Sequence, residues 1–193
     1  GLLLDRTSVV ARNAISRCAE GILSALCRSV RVQDNDVYHA GIGIVSLADV
    51  DLALQGNGVE DAERTGITAA LSMHELTLAG NRTLRCGYRP PGFSPSPAIG
   101  IDVRLAIALV TVEGCHVIDT GESENPGAPV FTAPRVGILV YRVIAVRVRG
   151  CEIACKPLIS GLNAASRGLR VRTLTPAEVI AAIHSRIREP QQA

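Results

Sequence analysis

The side chains that could carry chemistry in this chain are few, and they fall at matching phases of a repeated phrase. Asp51, Glu75 and Glu113 are acidic positions, with Arg31 and Arg149 at comparable phases. Paired carboxylates are what acid–base cleavage of a glycosidic bond requires, so Asp51, Glu75, Glu113 and Arg149 are the catalytic candidates. A second set is the acidic loop of Asp119, Glu122, Glu124 and Asn125. Hard cations want several oxygens close together, which makes Asp119, Glu122 and Glu124 the metal candidates, for Ca²⁺. The loop lacks the spacing of a defined calcium loop. His39, His74, His116 and His184 are dispersed and read as surface residues. Gly41, Gly43 and Ser46 form a broken dinucleotide fingerprint: Ser46 stands where the third glycine belongs, and no helix pattern follows. Neither a GxSxG elbow nor a P-loop occurs.

These residues are positioned by a phrase with an apolar residue five and three places before an Asn or Cys. Its five plain copies are Val30, Val32 and Asn35; Leu52, Leu54 and Asn57; Leu76, Leu78 and Asn81; Val110, Val112 and Cys115; Val146, Val148 and Cys151. A worn sixth copy ends at Asn13. A Gly-Ile anchor lies upstream at Gly21, Gly41, Gly66, Gly100 and Gly137. Self-similarity of this kind predicts a solenoid of stacked units, and alternation within each copy predicts a strand with one buried face. The residue before Asn or Cys is Gly in four copies, giving turn freedom, and the Asn itself is expected to tolerate a left-handed conformation. Aligning the copies places Ser29, Asp51, Glu75, Leu109 and Ala145 in one outward row. Arg31, Ala53, Thr77, Thr111 and Arg147 form a second, and Gln33, Gln55, Ala79, Glu113 and Arg149 a third. No three carboxylates fall in adjacent rungs. Asp51, Glu75 and Arg31 are expected to form a surface ion-pair ladder, and Glu113 a cross-strand pair with Arg149.

Coil lengths rise from 22 residues (13 to 35, 35 to 57) and 24 (57 to 81) to 34 (81 to 115) and 36 (115 to 151). The extra length is two Pro- and Gly-rich loops, 87–97 and 119–129. Insertions in repeat proteins gather on one face, often the binding face. Tyr88, Phe93 and Phe131 lie in or beside them and are the ligand-binding candidates, because rings stack on sugars.

Composition narrows the classes. Apolar residues make up 47 %, yet there are only two Phe, three Tyr and no Trp, so the core must be Val, Ile, Leu and Ala. A net charge of +2 gives no drive towards nucleic acid, and no apolar run is long enough to span a membrane. No signal peptide is visible, and the location is left open. Six cysteines without a CxxC do not make a disulfide scaffold. Cys115 and Cys151 occupy the Asn slot of neighbouring coils, where buried thiols, a disulfide or a metal are the alternatives. Thr175, Pro176 and Glu178 signal a helix start, followed by Val179, Ile180, Ile183 and Ile187 on one face.

The V-x-V-x-G-N/C phrase, the Gly-Ile anchors, the coil length and the Asn positions 35, 57 and 81 resemble the right-handed parallel β-helix family of pectate lyases, polygalacturonases and many viral tailspikes. The resemblance covers residues 10–156. It implies an all-β, right-handed parallel β-helix (solenoid) of about six coils with a C-terminal amphipathic helix. The expected division is coils over 1–156, continuing upstream in a longer chain, an irregular last coil over 157–174 and a capping helix over 175–189. The resemblance implies a structural or binding module within a larger bacterial or phage-like surface assembly, with self-association through the coil ends. The alternative it implies is a polysaccharide lyase or glycoside hydrolase acting on an acidic polysaccharide, either by Ca²⁺-assisted proton abstraction to an Arg or by clustered acids.

Overall fold

The computed structural model describes residues 7–88, 98–107, 109–121, 135–154 and 167–173. These form six coils of three strands each. Coil 1 is β1 Thr7–Ala11, β2 Ala14–Ser16 and β3 Glu20–Ala25; coil 2 is β4 Ser29–Gln33, β5 Asp36–Tyr38 and β6 Ile42–Leu47. Coil 3 is β7 Asp51–Gln55, β8 Gly58–Glu60 and β9 Thr65–Ala70; coil 4 is β10 Glu75–Ala79, β11 Arg82–Leu84 and β12 Ala98–Arg104. Coil 5 is β13 Leu109–Glu113, β14 His116–Ile118 and β15 Arg135–Val143; coil 6 is β16 Ala145–Arg149, β17 Glu152–Ala154 and β18 Arg167–Thr173. The first strands of all coils stack as sheet A, the second as sheet B and the third as sheet C, each six-stranded and parallel. The described part is thus an all-β solenoid of parallel sheets, and among the described residues no helix is long and apolar enough to cross a membrane. The expected helix over 175–189 lies outside the described residues.

Register explains the repeat. Val30, Leu52, Leu76, Val110 and Val146 pair in one continuous row across sheet A. Val30, Leu52, Leu76 and Val110 are at most 3 % exposed. The row of Val32, Leu54, Leu78 and Val112 is equally buried. Sheet B contributes one inward side chain per coil: Ile15, Val37, Val59, Thr83, Val117 and Ile153. At the ends the pattern loosens, because Val10, Ile15, Val146, Val148 and Ile153 are only partly buried against the core.

Coils 1 to 5 turn at three corners and coil 6 at one described corner, and at each of these one residue takes a left-handed backbone. Between sheets A and B these are Arg12, Asp34, Gly56, Gly80, Gly114 and Gly150, at φ 53–63°. Between B and C they are Arg17, His39, Asp61, Arg85 and Asp119, and between C and the next coil Leu26, Ala48, Leu71, Leu105 and Arg142. For a non-glycine residue this conformation costs roughly 1–2 kcal/mol. The stack compensates: from coil 1 to coil 4 each left-handed amide donates to the next coil, as in Asp34 N to Gln55 O at 2.9 Å and Leu71 N to Arg104 O at 3.0 Å. The Asn after the first corner is not itself left-handed, so the backbone freedom expected of it belongs to the residue before it.

The Gly-Ile anchor also has a steric cause, and its second copy is corrected by register. Ile22 pairs with Ile44 and Ile44 with Ile67, so that copy is Gly43-Ile44 rather than Gly41-Ile42. A Cβ on Gly21 would lie 2.5 Å from both Gly43 O and Val37 Cγ1, and one on Gly100 2.5 Å from Val117 Cγ1. On Gly43 it would collide with Gly66 O and Val59 Cγ1. Sheet C therefore bends against sheet B only where the side chain is missing. Gly80, by contrast, has open space around its Cβ position and needs only its φ of 61°. Gly43→Ala should therefore lower stability by about 3 kcal/mol, the upper end of overpacking costs, and Gly80→Ala by about 1 kcal/mol. Urea unfolding measures both; equal losses would contradict the steric account.

Candidate functional site

The outer face of sheet A holds the three polar rows. Strand pairing sets Ser29, Asp51 and Glu75 side by side, then Arg31, Ala53 and Thr77, then Gln33, Gln55 and Ala79. Over coils 2 to 4 Ser29, Arg31, Asp51, Ala53, Gln55, Glu75 and Thr77 line a shallow open groove of about 380 Å³. Asp51 and Glu75 are register neighbours, as their spacing implied. Arg31 faces Ala53 instead, and the partner of Asp51 is His74, whose Nδ1 lies 2.6 Å from Asp51 Oδ1. His74 was legible only through register: it immediately precedes Glu75, and its amide donates to Val50 O, next to Asp51. Glu113 does pair with Arg149, at 3.0 Å, on the same face two coils further along. The exposed His116 likewise meets its register partner Glu152 at 3.1 Å.

Of the remaining candidates, the described Asp119 and Tyr88 do not line this groove. Asp119 is the left-handed residue of the second corner in coil 5, its amide donating to Ala154 O at 2.8 Å. Glu122 and Glu124 lie outside the described residues, as do Phe93 and Phe131. Tyr88 is half-buried just after the same corner in coil 4. The described residues flanking each insertion leave sheet B at this corner and rejoin sheet C at Ala98 and Arg135. Among the described residues no group of three His, Cys, Asp or Glu side chains could hold a metal ion.

Other charges are buried and structural. Asp49, fully buried, fills the slot after the third corner. Its Oδ1 accepts the Cys27 amide at 2.8 Å, and its Oδ2 accepts the hydroxyls of Ser24 at 2.8 Å and Ser46 at 2.5 Å. At the second corner Arg85 grips Asp61 with Nε at 2.9 Å and Nη2 at 3.0 Å, and Nη2 also binds Glu60. The Asp61 hydrogen bond, above all, raises the Arg85 pKa. Asp102 lies buried on the outer face of sheet C, where desolvation pushes its carboxyl above the usual range despite Arg104 Nε at 2.7 Å.

The groove can chemically offer hydroxyl, amide, carboxylate, imidazole and guanidinium groups repeated at roughly the 4.8 Å strand spacing. Comparison with protein-family models, curated proteins and solved structures found no match to this chain. The site therefore has to be read from its own geometry.

Asp49 and Asp51 stand two residues apart with opposite roles. Asp49→Ala leaves three donors without an acceptor and should cost about 2–3 kcal/mol. Asp51→Ala, at a pair exposed on both sides, should cost less than about 1 kcal/mol. Chemical denaturation distinguishes them, and comparable losses would refute the assignment. Asp102 supplies a pH test. Its folded pKa lies above the unfolded one, so the folded chain binds the proton more tightly. Its contribution is greatest below the unfolded value and is lost as pH rises through the folded one. The stability of Asp102→Asn relative to the parent should thus grow from about pH 3 upwards and then level off; a difference independent of pH would count against it.

Proposed function

We propose that this chain is a structural and binding module that presents the outer face of sheet A to an extended polysaccharide. In this reading it is a right-handed parallel β-helix of the pectate-lyase-like kind, set within a larger surface or phage-like assembly. Right-handedness follows the strong preference of parallel crossovers. The observation that carries the binding role is the groove over coils 2 to 4. Its donors and acceptors recur with every strand, an arrangement that suits a repeating ligand lying along the axis through many weak contacts. Ser29, Arg31, Gln55 and Thr77 supply neutral and cationic hydrogen bonds to hydroxyl and carboxylate groups, flanked by Asp51, His74 and Glu75. A rigid stack suits this task, because the spacing between rungs is set by backbone hydrogen bonds and not by side-chain rotamers.

One observation favours a second reading, a polysaccharide lyase or hydrolase. The imidazole of His74 is held against Asp51 beside a second carboxylate, Glu75, and such a group can move a proton.

Affinity electrophoresis through uronate-containing and neutral polysaccharides, with and without Ca²⁺, tests the proposal. The expected result is retardation by at least one polymer, weakened several-fold by Arg31→Ala with Gln55→Ala, and no new reducing ends or unsaturated products. Cleavage abolished by His74→Ala or Asp51→Asn would replace the binding role with the enzymatic one. No retardation by any polymer would remove the groove as a binding face.

A further inference from the structure

The cysteines follow a rule that the polysaccharide reading does not use. Cys18, Cys27, Cys86, Cys115 and Cys151 each come directly after a left-handed corner residue: Arg17, Leu26, Arg85, Gly114 and Gly150. At the first corner, Cys115 and Cys151 stand where the earlier coils have Asn. Asn57 Nδ2 donates to Val32 O and Asn81 Nδ2 to Leu54 O, each a carbonyl of the preceding coil. Cys115 Sγ continues the series to Leu78 O and Cys151 Sγ to Val112 O, both at 3.7 Å.

Of the described cysteines, only Cys115 and Cys151 share a corner in adjacent coils. Their strands are in register on both sides of the slot, through Val112 with Val148 and His116 with Glu152. The Glu152 amide donates to Cys115 O at 2.9 Å. The backbones are therefore one strand spacing apart, about 4.8 Å, inside the Cα separation a disulfide spans. Both sulfurs occupy the same slot of the stack, each facing the equivalent carbonyl of the coil before. Cys115 is fully buried, and Cys151, in the last described coil, is partly exposed.

We propose that Cys115 and Cys151 form a redox-sensitive staple that fastens coil 6 to coil 5. The oxidant class is a small-molecule disulfide such as oxidised glutathione. The more accessible Cys151 thiolate attacks one sulfur of the reagent, breaking its S–S bond, forming a mixed disulfide and releasing one thiolate, which is protonated. Cys115 then loses its proton and attacks Cys151 Sγ. The intramolecular bond forms and the second reagent thiolate leaves, so two protein thiols and one disulfide become one protein disulfide and two small thiols. Burial pushes the Cys115 thiol up to about 11, which makes it the resolving rather than the attacking sulfur. The location gives the bond a purpose. Val146, Val148 and Ile153 in coil 6 are only partly buried, and the least buried coil opens first.

The test is to incubate the folded full chain with oxidised glutathione and to map disulfides by mass spectrometry. Hydrogen exchange is then measured in the oxidised and reduced forms. The expected result is a peptide pair joined through Cys115 and Cys151, with exchange of the coil 6 amides slowed at least ten-fold and the melting temperature raised by roughly 5–10 °C. Cys86→Ser should retain the cross-link. Cys151→Ser should abolish it while keeping the parent's thiol count otherwise unchanged. Cys115→Asn, which restores the ladder's own side chain, serves as the folded control should the serine variant unfold. Both thiols remaining alkylatable after oxidation, or Cys151 joined to a cysteine other than Cys115, would overturn the proposal.

Discussion

Everything in this molecule depends on the coils stacking in register at the strand spacing, because each residue's neighbours along the axis are the equivalent residues of the coils before and after. An inward position must then be filled by similar shapes in every coil, and an inward polar group must find its partner along the axis or not at all. The Asn ladder is the direct expression of this constraint. Asn35 is fully buried: its Oδ1 takes the Asn13 amide at 3.0 Å and Asn13 Nδ2 at 2.9 Å, while its own amide and Nδ2 go to Asn57 Oδ1. Asn57 does the same with Asn81 at 3.1 and 3.0 Å. Each bond contributes only about 0.5–1.5 kcal/mol net, but a missing one leaves a buried donor or acceptor orphaned. The ladder therefore acts more as a specification of register than as a source of stability.

The other two corners solve the same problem with different chemistry. At the third corner Asp49 does for the Cys27 amide what Asn35 does for the Asn13 amide, and the hydroxyls of Ser24 and Ser46 supply the protons that a carboxylate lacks. At the second corner the slot is filled by Cys18, Ala40, Ala62, Cys86 and Thr120, small enough to pass inside the turn. Burial drives the Cys86 thiol up to about 12, so it stays protonated, with Leu84 O at 3.4 Å and Val59 O at 3.6 Å sharing its single S–H. Cysteine here is a corner residue: compact, apolar and able to give one weak hydrogen bond.

This explains what could and could not be read from the residues alone. The sheet A phrase and its Asn slot are legible because three positions per coil are constrained together and their chemistry repeats. The second and third corners are not, since a left-handed residue whose side chain points to solvent tolerates Arg17, His39 or Leu71 equally well. Only the small residue after it carries a signal, and that signal is spread over Cys, Ala, Ser, Thr and Asp. In coil 2 Gly41 and Gly43 both precede an isoleucine, so the phrase alone does not tell them apart; strand register and the contact of Gly43 with Val59 do. At the groove, Asp51 with Glu75 and Glu113 with Arg149 follow from alternation within a row. The His74–Asp51 pair does not, because it runs diagonally from the turn into the row. The candidates Glu122, Glu124, Phe93 and Phe131 belong to insertions that interrupt the repeat, and a repeat cannot constrain what interrupts it.

The central claim is that side-chain amides, stacked along the axis, hold the first corner closed. Native-state hydrogen exchange of the Asn35 and Asn57 backbone amides tests it most directly, since both donate to a side-chain oxygen of the next coil and not to a strand carbonyl. If the ladder sets the register, these two amides exchange as slowly as the buried strand amides of Val32 and Leu54, through global unfolding. Exchange as fast as that of an exposed turn, with the strands still protected, would show that the strands stack without the ladder.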